Sequence, residues 1–253
     1  MVTISEQNLE VIPSLAEIPG RYHALEDTVA AAVQKAGRQR AEVRIELAAK
    51  YQAPERVHAA LLAGATLLGH NIIQQLEESE KELAAAAAPA HRTHVIGHVQ
   101  RNKARRAVEY AQCIETVDTL KLAKRLNELQ EERIETGAAA GAYDVMLQVN
   151  SSGAESQYGI APEATLDIAG EVAQLPHLRI IGLMTIGAHT TDTADIAHSF
   201  QVTRELRDAL QKAGVSSATE LSMGMTHDLE IAIAEGSTII RVGTAVFGPR
   251  PRQ

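Results

Sequence analysis

Lys50 has the clearest chemical potential of any residue in this chain of 253 residues. It directly follows the apolar run Leu47-Ala48-Ala49. A lysine at the end of such a run is partly desolvated, which favours its neutral, nucleophilic amine and thus Schiff-base formation with an aldehyde. A lysine that snorkels to solvent fits the same position. Two small-residue segments late in the chain, Ser222-Met223-Gly224-Met225-Thr226 and Gly243-Thr244, have the composition of loops whose backbone N–H groups cradle a phosphate. Arg241 stands two residues before Gly243 and, on a strand, faces the same way, either toward a bound ring or into a buried ion pair. Other polar residues follow other apolar runs: His70-Asn71, then His98 with Gln100 and Asn102-Lys103, then Asn150-Ser151-Ser152.

Several chemistries are excluded or disfavoured. The ten histidines include no His-x-x-x-His pair flanked by an acid, so no metal is expected. The single cysteine, Cys113, rules out an intramolecular disulfide and a Cys-based zinc site and fits a reducing compartment. Neither a Gly-x-Ser-x-Gly elbow nor a Walker-type loop is found, which disfavours serine and nucleotide hydrolysis. Met184, Met223 and Met225 read as packing around strand ends. Arg101, Lys103, Arg105 and Arg106 read as a solvated helix face. With a net charge of −8 and only 3% aromatic residues, nucleic acid is not an expected partner. The N-terminal residues carry acids and prolines and no run of 18 apolar residues occurs, so neither a signal peptide nor a membrane span is expected, and the expected location is cytoplasmic.

The elements that must position these residues alternate. A helix is expected over roughly Arg21 to Ala36, with Tyr22, Leu25, Val29 and Val33 on one face. Eight short apolar runs follow: Val43–Ala49, Thr66–Gly69, His94–Gly97, Cys113–Val117, Val145–Asn150, Ile180–Ile186, Glu220–Ser222 and Ile239–Val242. Helical stretches separate them. Eight such units predict an α/β protein with a (β/α)8 TIM barrel, in which the residues just past each strand form the active face. An open doubly wound sheet is the alternative, but Lys50-Tyr51-Gln52-Ala53-Pro54 after the first strand is no Gly-x-Gly-x-x-Gly turn. The expected organisation is one domain, 1–253, with a helical extension over 1–40 and the barrel over 44–248.

At these strand ends the sequence resembles the pyridoxal phosphate homeostasis protein family, whose barrel is similar to the N-terminal domain of alanine racemase. The resemblance runs from about Ile45 to Pro249. It is carried by Ala49-Lys50, Gly69-His70-Asn71 with Gln74, Ile96-Gly97-His98-Val99-Gln100-Arg101-Asn102-Lys103, Val117-Asp118 and Gln148-Val149-Asn150 with Gly153 and Glu155-Ser156. Gly182-Leu183-Met184-Thr185, Leu221-Ser222-Met223-Gly224-Met225 and Arg241-Val242-Gly243-Thr244-Ala245 with Phe247-Gly248 complete it. The resemblance implies a fold type III barrel that binds pyridoxal 5'-phosphate (PLP) on Lys50 as an internal aldimine. It also implies phosphate contacts from Ser222, Gly243 and Thr244, a pyridine-nitrogen contact from Arg241, and a place for Asn71 beside the cofactor.

His70 and Gln75 stand where the family usually has acids, and Arg101 where a small residue is common, so the local pocket loses two expected carboxylates. An arginine at the pyridine nitrogen weakens the ring as an electron sink. Racemases of this fold take a second base from an added C-terminal β domain, and such a base has no obvious source here. The expected function is therefore storage, buffering or delivery of PLP by a monomer with little or no turnover, with PLP-dependent apoenzymes as recipients. The alternative is a small racemase or lyase that uses Lys50 as its base.

Overall fold

A computed structural model describes residues 9–249; residues 1–8 and 250–253 of the expected 1–253 domain lie outside the described residues. Eight parallel strands close a barrel in sequence order: β1 (Arg44–Ala48), β2 (Leu67–His70), β3 (Arg92–Val95), β4 (Cys113–Val117), β5 (Tyr143–Gln148), β6 (Leu178–Met184), β7 (Glu220–Ser222) and β8 (Ile239–Val242). β8 pairs back onto β1, with Glu46 opposite Arg241. Closure removes the open-sheet alternative and leaves the expected (β/α)8 barrel.

The helices between strands are α2 (Pro54–Leu62), α3 (Ile73–Ala85), α4 (Ala104–Tyr110), α5 (Leu120–Glu135), α6 (Thr165–Val172), α7 (Thr193–Lys212) and α8 (Leu229–Ala234), preceded by α1 (Ile18–Lys35) and followed by α9 (Thr244–Phe247). In α1, Pro19 occupies the first turn, where its missing N–H costs nothing, so the helix starts ahead of the expected Arg21. The expected face, Tyr22, Leu25, Val29 and Val33, is buried. It joins a cluster with Leu229, Ile233, Ile240, Val242 and Phe247, so α1 covers the seam where β8 meets β1.

Alternation along the strands stacks the barrel interior in layers. At the N-terminal strand ends Arg44 pairs with Glu220 (2.8 Å), and Asp144 with Arg92 (3.2 Å) and Arg179 (2.6 Å). Above them lies an apolar cluster of Leu67, Cys113, Met146, Met184 and Ile239. Two residues further along the strands the interior turns polar, with Glu46, His94, Glu115, Ser222 and Arg241, all buried. Gly69 leaves room for this layer, since a Cβ there would stand 2.9 Å from the Glu46 carboxyl carbon.

Strand limits differ from expectation where polar residues belong to the sheet. β5 begins at Tyr143, because its ring is buried and its hydroxyl donates to the Ala111 carbonyl (2.9 Å). β3 begins at Arg92, since Arg92-Thr93-His94 pairs with Leu67-Leu68-Gly69 despite its polarity. Among the described residues, no helix is long and apolar enough to cross a membrane.

Candidate functional site

Above the polar layer, at the C-terminal ends of the strands, lies a cavity of about 680 Å³. Lys50, Asn71, Arg241, Gly243 and Thr244 line it, five of the six residues expected from sequence. Lys50 sits two residues past β1 and its Nζ lies 5.0 Å from the centroid of the Tyr51 ring. The turn behind it is constrained: Tyr51 has φ +61°, a conformation uncommon for a bulky residue, and its N–H donates to Gln75 Oε1 (3.1 Å). Gln75 therefore fixes the backbone next to Lys50.

The two positions of the expected loss of pocket charge, His70 and Gln75, lie outside the cavity lining. His70 points to the outer face of the barrel, 2% exposed, where burial lowers its pKa to about 4 and keeps it neutral. Gln75 acts through a carbonyl that accepts a hydrogen bond, a role that needs no charge.

Arg241, 5% exposed, donates from Nη1 to Ser222 Oγ (2.8 Å) and from Nη2 to the Thr185 carbonyl (2.7 Å). Against the sequence alternative of a buried ion pair, these contacts of Arg241 are with neutral hydrogen-bond acceptors, and the residue forms part of the cavity wall. Ser222, the sixth expected residue, is fully buried beneath the cavity and outside its lining, and donates to Glu115 Oε2 (2.5 Å). Thr226 and Asp228 also line the cavity. Burial raises the Asp228 carboxyl, against the backbone N–H of Met225 and the Arg241 charge, which lower it. Of the methionines, Met184 and Met223 are packed as expected, whereas Met225 is 40% exposed at the cavity rim. Arg105 and Arg106 are about half exposed and pair with Glu132 and Glu77, as a solvated face would.

Sequence reasoning missed Glu46, His94 and Glu115. His94 Nδ1 lies 2.7 Å from Glu115 Oε1 and 3.4 Å from Glu46 Oε1. Burial alone lowers His94, but the hydrogen bond to Glu115 and the charges of Glu115 and Glu46 win and raise it to about 9. Burial and the charge of Glu115 push Glu46 up, while His94 and Arg241 pull it back. Glu115, although burial raises it, ends below the ordinary value through His94, Arg241 and the Ser222 hydroxyl. The three offer ligand-type atoms within 4.8 Å of one another. The signal available in the sequence was a charge inside each of two apolar strands, Ile45-Glu46-Leu47 and Ile114-Glu115-Thr116, at the alternation that faces inward.

Known proteins share this architecture. Residues 22–251 match the family described as alanine racemase, N-terminal domain. The pyridoxal phosphate homeostasis protein of Pasteurella multocida is 35% identical over 227 residues, covering 89% of this chain and 94% of that protein. The chain belongs to the pyridoxal phosphate homeostasis protein family. The Pseudomonas aeruginosa member is 39% identical over 219 residues, covering 87% of this chain and 90% of its own. PipY of Synechococcus elongatus, solved with PLP bound, superposes with a TM-score of 0.74 at 31% identity over 87% of this chain and all of that one.

Proposed function

We propose that this member of the pyridoxal phosphate homeostasis protein family binds PLP in the cavity above Arg241 and stores, buffers or hands on the cofactor. The observation that carries this reading is the convergence of Lys50, Arg241, Gly243 and Thr244 on one cavity. The residues present fit the group. Lys50 offers an amine. Gly243 can approach an anion closely, and a Cβ there would press on the Ala48 carbonyl at 3.0 Å. Thr244 and Thr226 offer hydroxyls for a phosphate. Ser222 serves the site from below, through Arg241, and Asn71, which lines the cavity, would stand beside the cofactor.

When bound, PLP supplies an aldehyde to an amine and a ring able to withdraw electrons. Arg241 limits the second property. A guanidinium keeps its protons and can only donate hydrogen bonds, so it leaves a pyridine nitrogen unprotonated. Little turnover of amino acids is the consequence, and the protein acts as a monomer in the cytoplasm with PLP-dependent apoenzymes as recipients.

The test is a PLP titration followed by borohydride reduction and peptide mapping. A visible band with the reduced adduct on Lys50, lost in Lys50→Ala, is the expected outcome; adducts scattered over surface lysines overturn the reading. Incubating the loaded protein with single-enantiomer amino acids in deuterated water tests the racemase or lyase alternative. Exchange at Cα at enzymatic rates favours that alternative.

A further inference from the structure

The hydrogen bonds beneath the cavity have a forced direction. Arg241 has donors only, so the contact between its Nη1 and Ser222 Oγ (2.8 Å) makes Ser222 the acceptor. A serine has one proton, and this one goes to Glu115 Oε2 at 2.5 Å, the length of a charge-assisted O–H···O⁻ bond. The other Glu115 oxygen accepts from His94 Nδ1 at 2.7 Å. Both oxygens of Glu115 are therefore acceptors, which a carboxylate can satisfy and an amide cannot. All four side chains are nine-tenths buried or more, so water does not compete for these bonds.

We propose that Glu115 is a positioning residue for the cofactor site: by taking the Ser222 proton it makes the Ser222 oxygen the acceptor that aims Arg241 at the cavity, and His94 holds Glu115 in place. Arg241 is then pinned at two points, Ser222 below and the Thr185 carbonyl beside it. Glu46 stands opposite Arg241 on β1, and neither of its carboxyl oxygens has a hydrogen-bond partner among the described residues. The inference rests on the PLP reading only for its effect on the ligand; the pinning of Arg241 stands without it.

Protein labelled with 15N-arginine separates the two. In the unliganded wild type, slow rotation of a guanidinium held at both Nη atoms gives resolved Arg241 Nη lines, assigned by their loss in Arg241→Lys. Glu115→Gln and Ser222→Ala are expected to merge those lines, and Ser222→Thr, which keeps the hydroxyl, to restore them. Circular dichroism confirms that each variant is folded. Unchanged Arg241 lines in Glu115→Gln overturn the proposal, whatever Ser222→Ala shows. In PLP titrations the same two variants should bind about tenfold more weakly, the effect of losing one charge-assisted hydrogen bond, with the reduced adduct still on Lys50. Wild-type affinity in both overturns the link to the cofactor. Failure of the wild type itself to bind PLP refutes the proposed function, while the arginine lines still decide the positioning role.

Discussion

Replacing Gly97 by alanine should damage the site although Gly97 itself is not part of the cavity wall. Gly97 follows β3, where the ladder with β2 continues through the bond from Ile96 N–H to the His70 carbonyl (2.9 Å). A Cβ on Gly97 would stand 2.2 Å from the carbonyl oxygen of Asn71 and 2.7 Å from its Cα, where real Cβ atoms essentially never come within 3.0 Å. The obstacle is backbone, so no side chain can swing aside. The loop after β2 must move by about 0.8 Å, and overpacking of this kind costs about 3 kcal/mol. For a chain of this size that lowers the melting temperature by about 6–12 °C. Because Asn71 lines the cavity, PLP affinity should fall with stability, by roughly tenfold or more for a displacement near 1 Å. Thermal melts followed by circular dichroism, paired with PLP titrations, measure both effects. Gly170→Ala is the matched control. It lies on α6 with nothing within 4 Å of the added Cβ, and it should gain up to about 1 kcal/mol from helix propensity. A Gly97→Ala protein that melts and binds like the wild type refutes the reasoning.

Stability should fall as pH rises from 7 to 9. His94 is raised from 6.5 to about 9 in the folded protein, so its contribution is complete below pH 6.5 and is lost as pH climbs through 9. The loss is about 2–3 kcal/mol; urea unfolding at both pH values measures it, and a flat or rising profile contradicts it. Cys113 is fully buried, and burial pushes its thiol well above the usual range. It should resist a thiol reagent in the native state and react at once in denaturant; rapid native labelling would show the barrel interior to be open. Arg56 donates to the Pro13 carbonyl (2.7 Å) and the Phe247 carbonyl (2.9 Å), tying the N-terminal segment to α9. Arg56→Ala should lose about 2 kcal/mol, measured as a shift in the denaturant midpoint.

The barrel was legible because its strands are short and mostly apolar and its helices carry their own stop signals. β4, β7 and β8 fall on the expected residues, Cys113–Val117, Glu220–Ser222 and Ile239–Val242. What failed were limits set by tertiary partners: Arg92-Thr93-His94 is polar yet belongs to a strand because β2 lies beside it. Lys50, Arg241, Gly243 and Thr244 were legible because the fold puts residues just past strands on one face. Ser222 shows the limit of that rule. It ends β7, but alternation turns its side chain inward and down, onto Glu115. His94 and Glu115 could not be paired from sequence, since their contact depends on the stagger between β3 and β4.

The buried polar layer also bears on how this chain can change over generations. Glu46, His94, Glu115 and Arg241 are ionisable groups packed together out of reach of water. Removing one member of such a set strands the others as uncompensated charges, at a cost of about 3–5 kcal/mol, while exchanging the whole set for well-packed apolar residues is close to neutral. Single steps away from the present arrangement are therefore blocked although the destination is not. Lineages that keep Arg241 for the cavity should hold or lose Glu115 and His94 together, and the order in which substitutions arrive will matter more at these positions than anywhere on the barrel's outer face.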